Sequence, residues 1–101
     1  MWRVTVAPDV IKSFRHKGLK KFFETGDEGG IRPELAKRLR LLLFKLDTAK
    51  SIKDMNFPGS GLHGLKGKYA GFYAVKVSGN WRLIFRFEGT DAYDVDYLDY
   101  H

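Results

Sequence analysis

The sequence contains no cysteine, which excludes disulfide scaffolds, thiolate metal sites and cysteine nucleophiles together. It has no run approaching the roughly 20 apolar residues that cross a bilayer. Its first residues lack the apolar block of a signal peptide, and it has neither internal repeats nor low-complexity tracts. These absences favour a single cytoplasmic domain with no membrane partner.

Charge is abundant in this chain and unevenly distributed. The 101 residues are 44% hydrophobic and 15% aromatic, as in a folded domain, and they carry a net charge of +6, which suggests an acidic partner such as nucleic acid. Residues 55–87 contain five Lys or Arg and no acid, whereas residues 88–101 contain five acids and no Lys or Arg. The middle of the chain is therefore predicted to meet an anion, although for most of these residues charge pairing between facing strands is the simpler interpretation.

The spacing of apolar residues predicts an α+β domain with the element order β-α-α-β-β-β. A short strand at residues 10–14 precedes a helix at residues 16–24, and Pro33 suits the first position of a second helix. The apolar stripe of that second helix consists of Leu35, Leu39, Leu42, Leu43 and Leu46. Three strands follow at residues 72–77, 81–87 and 92–98, joined by tight hairpins. We expect a twisted, mainly antiparallel sheet with both helices packed on one face.

Alternation along the central strand predicts which side chains face the helices. The helix-facing set is Trp81, Leu83, Phe85 and Phe87. Arg82 and Arg86 alternate with this set and point away from the helices, as does Ile84. The sequence thus predicts an open sheet face of basic character.

The residue types present favour phosphodiester chemistry. Three histidines and many Lys and Arg occur without metal-ligand spacing and without a glycine-rich phosphate loop, so we expect neither a metal nor a cofactor. RNA can be cut without a metal when one group takes the proton of the 2′-hydroxyl and another protonates the leaving 5′-oxygen. Cations then stabilise the pentacoordinate phosphorane.

Two candidate residues for this reaction lie in a long glycine-rich segment after Asp47, which we expect to contain no regular element. Unstructured loops of that length are often functional, and this one carries His63 and Lys66. A lone histidine is more often inert, and a loop lysine is by default only solvated. The pair is suggestive without being specific.

Further candidates lie on the central hairpin and at the end of the chain. Arg82 could clamp a phosphate with two N–H donors, although a surface salt bridge to Asp94 or Asp96 is the simpler explanation. Asn80 could hydrogen-bond a base edge, although turns commonly contain Asn. The sequence ends in Asp99, Tyr100 and His101, at a position where residues are usually dispensable.

The order of several motifs resembles that of a known toxin family. The motifs are Ser13-Phe14, His16-Lys17-Gly18-Leu19-Lys20, Leu62-His63, Leu65-Lys66-Gly67, Gly79-Asn80-Trp81-Arg82, Asp91-Ala92-Tyr93 and the terminal Asp99-Tyr100-His101. In this order they resemble HigB toxins of the RelE/ParE superfamily, which belong to type II toxin–antitoxin systems. The likeness runs from about Val10 to the last residue, and it implies a RelE-like fold.

The resemblance implies a ribosome-dependent mRNA endonuclease that cuts codons in the A site of the small subunit and is silenced by a HigA-like helix-turn-helix antitoxin. Carried over by position, the implied roles are proton transfer for His63 and Asp99, phosphate binding for Lys66 and Arg82, substrate orientation or stacking for Tyr100, and proton transfer or positioning for His101. Which group is the general base stays open. Residues expected to bind mRNA or rRNA are Asn80, Lys37, Arg38, Arg40, Lys76 and Arg86.

Two other functions remain possible at this point. A ParE-like toxin of the same fold inhibits gyrase and cleaves nothing, but such chains generally lack this terminal triplet. A non-catalytic basic module would bind RNA through cations and aromatic stacking alone.

The first nine residues depart from the family pattern, in which members typically begin at the strand that starts here at Val10. We expect translation to start at Val10 from an alternative start codon, or residues 1–9 to be an addition to the natural chain.

Overall fold

The computed structural model describes residues 10–100, which form two helices and a four-stranded sheet. The helices are α1 (Lys17–Thr25) and α2 (Ala36–Asp47), and the strands are β1 (His63–Gly64), β2 (Tyr73–Ser78), β3 (Trp81–Glu88) and β4 (Asp91–Asp99). Short 3₁₀ turns lie at Pro33–Leu35, Ile52–Met55 and Gly67–Tyr69. The α+β prediction is confirmed. Residues 1–9 and His101 lie outside the described residues, so the expected start at Val10 stays a prediction.

The N-terminus of α1 is fixed by a side-chain cap and by a close backbone contact. His16 is the cap residue, and its Nδ1 accepts the N–H of Leu19 at 3.0 Å. Gly18 packs directly on the backbone of Gly30, so closely that a Cβ added to Gly18 would lie 2.1 Å from the Gly30 carbonyl oxygen. The helix ends at Gly26, which adopts the left-handed conformation with φ 83°.

The second helix buries its predicted leucine stripe. Pro33 begins a 3₁₀ turn that leads into α2, since its missing N–H is not needed there. All five leucines of the stripe are buried, in one core with Leu19 and Phe22 of α1 and the helix-facing side of the sheet. Leu41 and Phe44 lie outside the stripe and are 43% and 65% exposed.

The sheet runs antiparallel in the order β1-β2-β3-β4. The segment at residues 10–14 is not the regular strand that was predicted, but it does pair with β4. The pairing consists of two isolated parallel bridges, Ile11 with Ala92 and Phe14 with Val95, and four backbone hydrogen bonds of 2.8–3.1 Å. The N–H groups of Val10 and Ile11 also donate to Asp47 Oδ1, at 3.1 and 3.0 Å. The expectation that the glycine-rich segment contains no regular element is also wrong, since His63–Gly64 forms β1.

The sheet face away from the helices is not open as predicted. Ile84 is fully buried there in a second, smaller core with Leu65, Phe72 and Ala74. Tyr69, Leu98 and Tyr100 pack against this core. The prediction of a basic, solvent-open face is therefore wrong for the centre of the sheet. There the chain between β1 and β2 folds over the sheet and covers the apolar side chains that alternation places on this face.

Candidate active site

A cleft of about 330 Å³ opens beside the second core at the end of β4. The six residues that line it are Lys66, Lys68, Tyr69, Leu98, Asp99 and Tyr100. Three of the residues predicted to be catalytic, Lys66, Asp99 and Tyr100, thus meet at one site although they are far apart in sequence.

One wall of the cleft is the tight turn between β1 and β2. The N–H of Leu65 donates to the Phe72 carbonyl at 2.8 Å, and the N–H of Phe72 donates to the Tyr69 carbonyl at 2.9 Å, so the turn is closed at its base. Gly67 adopts φ 67°, which suits glycine and lets the chain reverse between Lys66 and Tyr69. Lys66 is exposed beside the buried Leu65, so its ammonium projects from a fixed base.

The other wall is the end of β4. Asp99 is the last residue of that strand and pairs in register with Trp81. The N–H of Tyr100 donates to the carbonyl oxygen of Asn80 at 2.8 Å, which ties the end of β4 to the β2–β3 hairpin. Asn80 is itself exposed on that hairpin, next to Tyr100. The predicted base-contacting and substrate-stacking residues are therefore neighbours.

Arg82 lies beside the cleft on β3. It is opposite Lys76 of β2 and opposite Leu98 of β4, and Leu98 lines the cleft. Its Nη1 donates to the carbonyl oxygens of Gly79 at 2.7 Å and Trp81 at 3.1 Å. A carbonyl oxygen carries only a partial charge, so these bonds orient the guanidinium without neutralising it.

His63 lies on β1, at the far edge of the sheet from β4, and is exposed. It pairs with Ala74, a member of the second core, and cross-strand partners project from the same face of a sheet. Its Nδ1 is 2.9 Å from the Gly61 carbonyl oxygen, a contact that orients the ring. His63 thus shares the face on which the cleft opens but is not one of the residues that line it.

Arg86, another predicted RNA-binding residue, is held by two carboxylates. It donates from Nη1 to Asp94 Oδ2 at 3.1 Å and from Nη2 to Glu88. The hydrogen bond to Asp94, together with the nearby charge of Glu88, raises the pKa of Arg86. Asp94 sits at a β-bulge between β3 and β4 with φ 54°. Pairing with Asp94 on the facing strand and with Glu88 on the same strand thus explains this part of the charge pattern.

The basic residues of α2 differ in their partners. Arg38 Nη2 lies 3.4 Å from the carbonyl oxygens of both Gly59 and Lys76, so it connects the helix to the loop and to β2. Arg40 pairs with Glu28 at 3.4 Å and stacks over Phe22. Lys37 is exposed. RNA binding by Lys37, Arg38, Arg40, Lys76 and Arg86 stays a prediction.

Within residues 10–100, no three His, Asp or Glu side chains are grouped closely enough to share a metal ion. In the same part of the chain, no helix has the length and apolar character needed to cross a membrane.

Comparison with known proteins identifies the family. Residues 12–101 match the HigB-like toxins, described as RelE-like toxins of type II toxin–antitoxin systems. The chain belongs to this family. It is also 42% identical over 92 residues to the Endoribonuclease HigB of Proteus vulgaris, a match that spans 91% of this chain and all of that relative.

Solved structures support the RelE-like fold of this HigB-like toxin. The chain resembles the YoeB–YefM complex from Staphylococcus aureus, with a TM-score of 0.58 and 16% identity over 94% of this chain and 99% of that one. It also resembles the conserved hypothetical protein HP0894 from Helicobacter pylori, with a TM-score of 0.51 and 17% identity over 89% and 94% of the two chains. At these identities the likeness concerns the fold alone.

Sequence reasoning missed two residues of the cleft in this HigB-like toxin. In the sequence Lys68 is one of five cations in residues 55–87, and Tyr69 belongs to none of the family motifs. Both lie on the turn wall, and Tyr69 contacts Phe72 and Tyr100. The signal was Tyr69 and Phe72 at a spacing of three just after a Lys-Gly-Lys segment, which is a cationic and aromatic pattern suited to RNA.

Proposed function

We propose that this HigB-like toxin is a ribosome-dependent endoribonuclease that cuts mRNA at codons in the A site. The observation that carries the proposal is the convergence of Lys66, Asp99 and Tyr100 on one cleft, with Arg82 on the adjacent strand. The 42% identity to a protein named as an endoribonuclease supports the reaction class. Ribosome dependence and the A site come from the family resemblance.

The reaction is an attack of the 2′-hydroxyl on the neighbouring phosphodiester. A base accepts the 2′-hydroxyl proton, the 2′-oxygen bonds to phosphorus, the bond to the 5′-oxygen breaks, and an acid protonates that leaving oxygen. His63, Asp99 and His101 are the candidates for these two proton transfers, and the assignment among them stays open. No step requires a metal ion, because protein cations can balance the charge of the phosphorane.

The cationic residues beside the cleft would stabilise the transition state. Lys66 contributes an exposed ammonium from the turn, and Arg82 contributes a planar guanidinium that its backbone hydrogen bonds already orient. Preorganised charges of this kind need no rearrangement when negative charge develops on the phosphorane. Tyr100 would stack on the substrate, and Asn80 would contact the edge of a base.

The proposed partners are the ribosome, its mRNA and an antitoxin. The net charge of +6 favours association with rRNA through its phosphates. The matched family is defined by toxin–antitoxin systems, and the similar Staphylococcus aureus structure is a complex with YefM. A HigA-like helix-turn-helix antitoxin is the partner that we propose for this chain.

Translation of a defined message in a reconstituted system, with primer extension to map breaks, tests the proposal. We expect cuts at A-site codons only when ribosomes are present, and no cut where the attacking 2′-hydroxyl is replaced by hydrogen. Asp99→Asn should reduce cutting strongly, whereas Asp91→Asn, at the other end of β4, is the matched control. Point substitutions are preferable to truncation, because Asp99 belongs to β4 and Tyr100 packs on the second core.

Each other outcome identifies the part that is wrong. Cuts in naked RNA would contradict ribosome dependence. An intact message with arrested growth would contradict cleavage itself and would make gyrase inhibition the next hypothesis to test. Cuts that survive replacement of the 2′-hydroxyl would contradict the proposed attack.

A further inference from the structure

Tyr69 occupies a fixed position in the cleft that no catalytic role explains. It ends the 3₁₀ turn Gly67–Tyr69, and its carbonyl accepts the N–H of Phe72 at 2.9 Å. Its ring is half-buried against the second core, so part of the ring is held while the rest reaches the cleft. A tyrosine held in this way loses little conformational entropy when a ligand packs on it.

The ring of Tyr69 forms an aromatic corner with two other rings. It meets Phe72 edge-on, with centroids 5.9 Å apart and an interplanar angle of 80°. It meets Tyr100 at 6.4 Å and 69°. Since the Tyr69 and Tyr100 rings are steeply inclined to each other, no base fits flat between them. A base stacked on the face of one ring would instead meet the edge of the other.

Cations surround this corner. The Nζ of Lys68 lies over the Tyr69 ring, 5.3 Å from its centroid, and Lys66 lines the same cleft. A nucleotide presents a flat aromatic base and an anionic phosphate side by side. The Tyr69 ring matches the base once the Lys68 ammonium leaves the ring, and that ammonium then matches the phosphate. The cleft volume of about 330 Å³ lies near the lower limit of small-molecule sites, which suits one nucleotide.

We propose that Tyr69 is a second RNA-stacking residue: the base next to the scissile phosphate stacks on its ring, against the edge of Tyr100, while Lys68 binds the phosphate of that nucleotide. This inference rests on the proposed function, since it takes RNA as the substrate. Stacking on a ring face tolerates every base, so Tyr69 contributes affinity and position rather than a codon preference.

Fluorescence of 2-aminopurine placed within a short RNA tests the stacking directly, at low salt and without ribosomes. We expect quenching by the wild-type protein and by Tyr69→Phe, which keeps the ring. Tyr69→Leu keeps an apolar side chain on the second core but has no aromatic face, and its affinity should fall by roughly 5- to 150-fold, the range for one stacked base. Tyr93→Leu removes a tyrosine of β4 outside the cleft and is the matched control.

Cleavage on ribosomes supplies the second readout. Tyr69→Leu should weaken the apparent affinity for the ribosome-bound message, while Tyr69→Phe and Tyr93→Leu cleave as the wild type does. Thermal unfolding of each variant shows whether the fold is retained, and Tyr69→Phe keeps the test valid if Tyr69→Leu proves unstable. A message left intact by the wild type would count against the nuclease proposal and not against stacking, which the fluorescence reports separately.

Two results would overturn the inference. The first is equal quenching and equal cleavage by the wild type and by a folded Tyr69→Leu variant. The second is a double variant that binds RNA no more weakly than Tyr100→Leu alone. Tyr69 would then act only by orienting Tyr100.

Discussion

Arg82 offers the clearest separation of chemistry from folding in this toxin. Its guanidinium is oriented by the carbonyl oxygens of Gly79 and Trp81, at 2.7 and 3.1 Å, and lies on the strand beside the cleft. Since these partners leave its positive charge available, we expect Arg82 to bind the phosphorane. Replacement by alanine removes that charge and two hydrogen bonds from a half-exposed side chain.

The two consequences of Arg82→Ala differ in size. Removing a preorganised donor from a phosphorane costs about 2–4 kcal/mol of transition-state stabilisation, or roughly 30- to 1,000-fold in rate. The two backbone hydrogen bonds are partly exposed, so their loss should lower the free energy of unfolding by less than about 2 kcal/mol. Arg82→Lys keeps the charge but not the fork of donors, and its activity should be intermediate.

Single-turnover cleavage of a ribosome-bound message, measured beside thermal unfolding, tests this prediction. Arg86→Ala is the comparison, because Arg86 lies on the same strand and its charge is compensated by Asp94 and Glu88. Arg86 is predicted to contact RNA but not the phosphorane, so at saturating toxin we expect Arg86→Ala to slow the cleavage step by less than about fivefold. A slowing of less than about threefold by Arg82→Ala with stability unchanged, or equal slowing by the two variants, would contradict a contact between Arg82 and the phosphorane.

Three further predictions concern the fold. Gly18→Ala should lower the free energy of unfolding by about 1–3 kcal/mol despite alanine's helix propensity, because its Cβ would lie 2.1 Å from the Gly30 carbonyl oxygen; higher stability in urea denaturation would contradict the close contact. Ile84→Ala should cost about 2–5 kcal/mol, since Ile84 is fully buried; a midpoint equal to wild type would show that the second core contributes little. The pKa of Asp27 is lowered, first by the hydrogen bond from the Gly29 N–H and then by Lys21, so the ionised carboxylate stabilises the fold above its ordinary pKa and this contribution is lost as the pH falls through the lowered pKa. Asp27→Asn should therefore make stability fall less steeply at acid pH. Identical plots of stability against pH for the variant and the wild type would contradict this.

Several elements were predictable because their signals are local. The leucine stripe of α2 needs only the helical repeat, and Pro33 with Gly26 marks where the helices begin and end. The strands β2, β3 and β4 follow from runs of aromatic and β-branched residues separated by turn residues. Each of these properties depends on neighbours within a few positions, which the sequence displays directly.

Other features depended on contacts between distant segments. The segment at residues 10–14 has strand-like composition, but its pairing with β4 is limited to two isolated parallel bridges, and its first two N–H groups donate to Asp47 of α2. Alternation correctly placed Ile84 away from the helices but could not show that the β1–β2 segment returns to bury it. The charge pattern likewise could not distinguish the two arginines of β3. Arg86 is paired with Asp94, whereas Arg82 donates to the carbonyl oxygen of Gly79.

The sequence by itself therefore determined the α+β elements, the family and the types of residue that cleave RNA, because periodicity, motif order and side-chain chemistry are all written along the chain. Only the tertiary structure decided which of those residues share a cleft. Lys66 and Tyr100 meet there, and Tyr69 joins them, because burial of Ile84 holds the turn between β1 and β2 against the end of β4. Apolar packing between segments far apart in sequence thus positions the polar groups of the site.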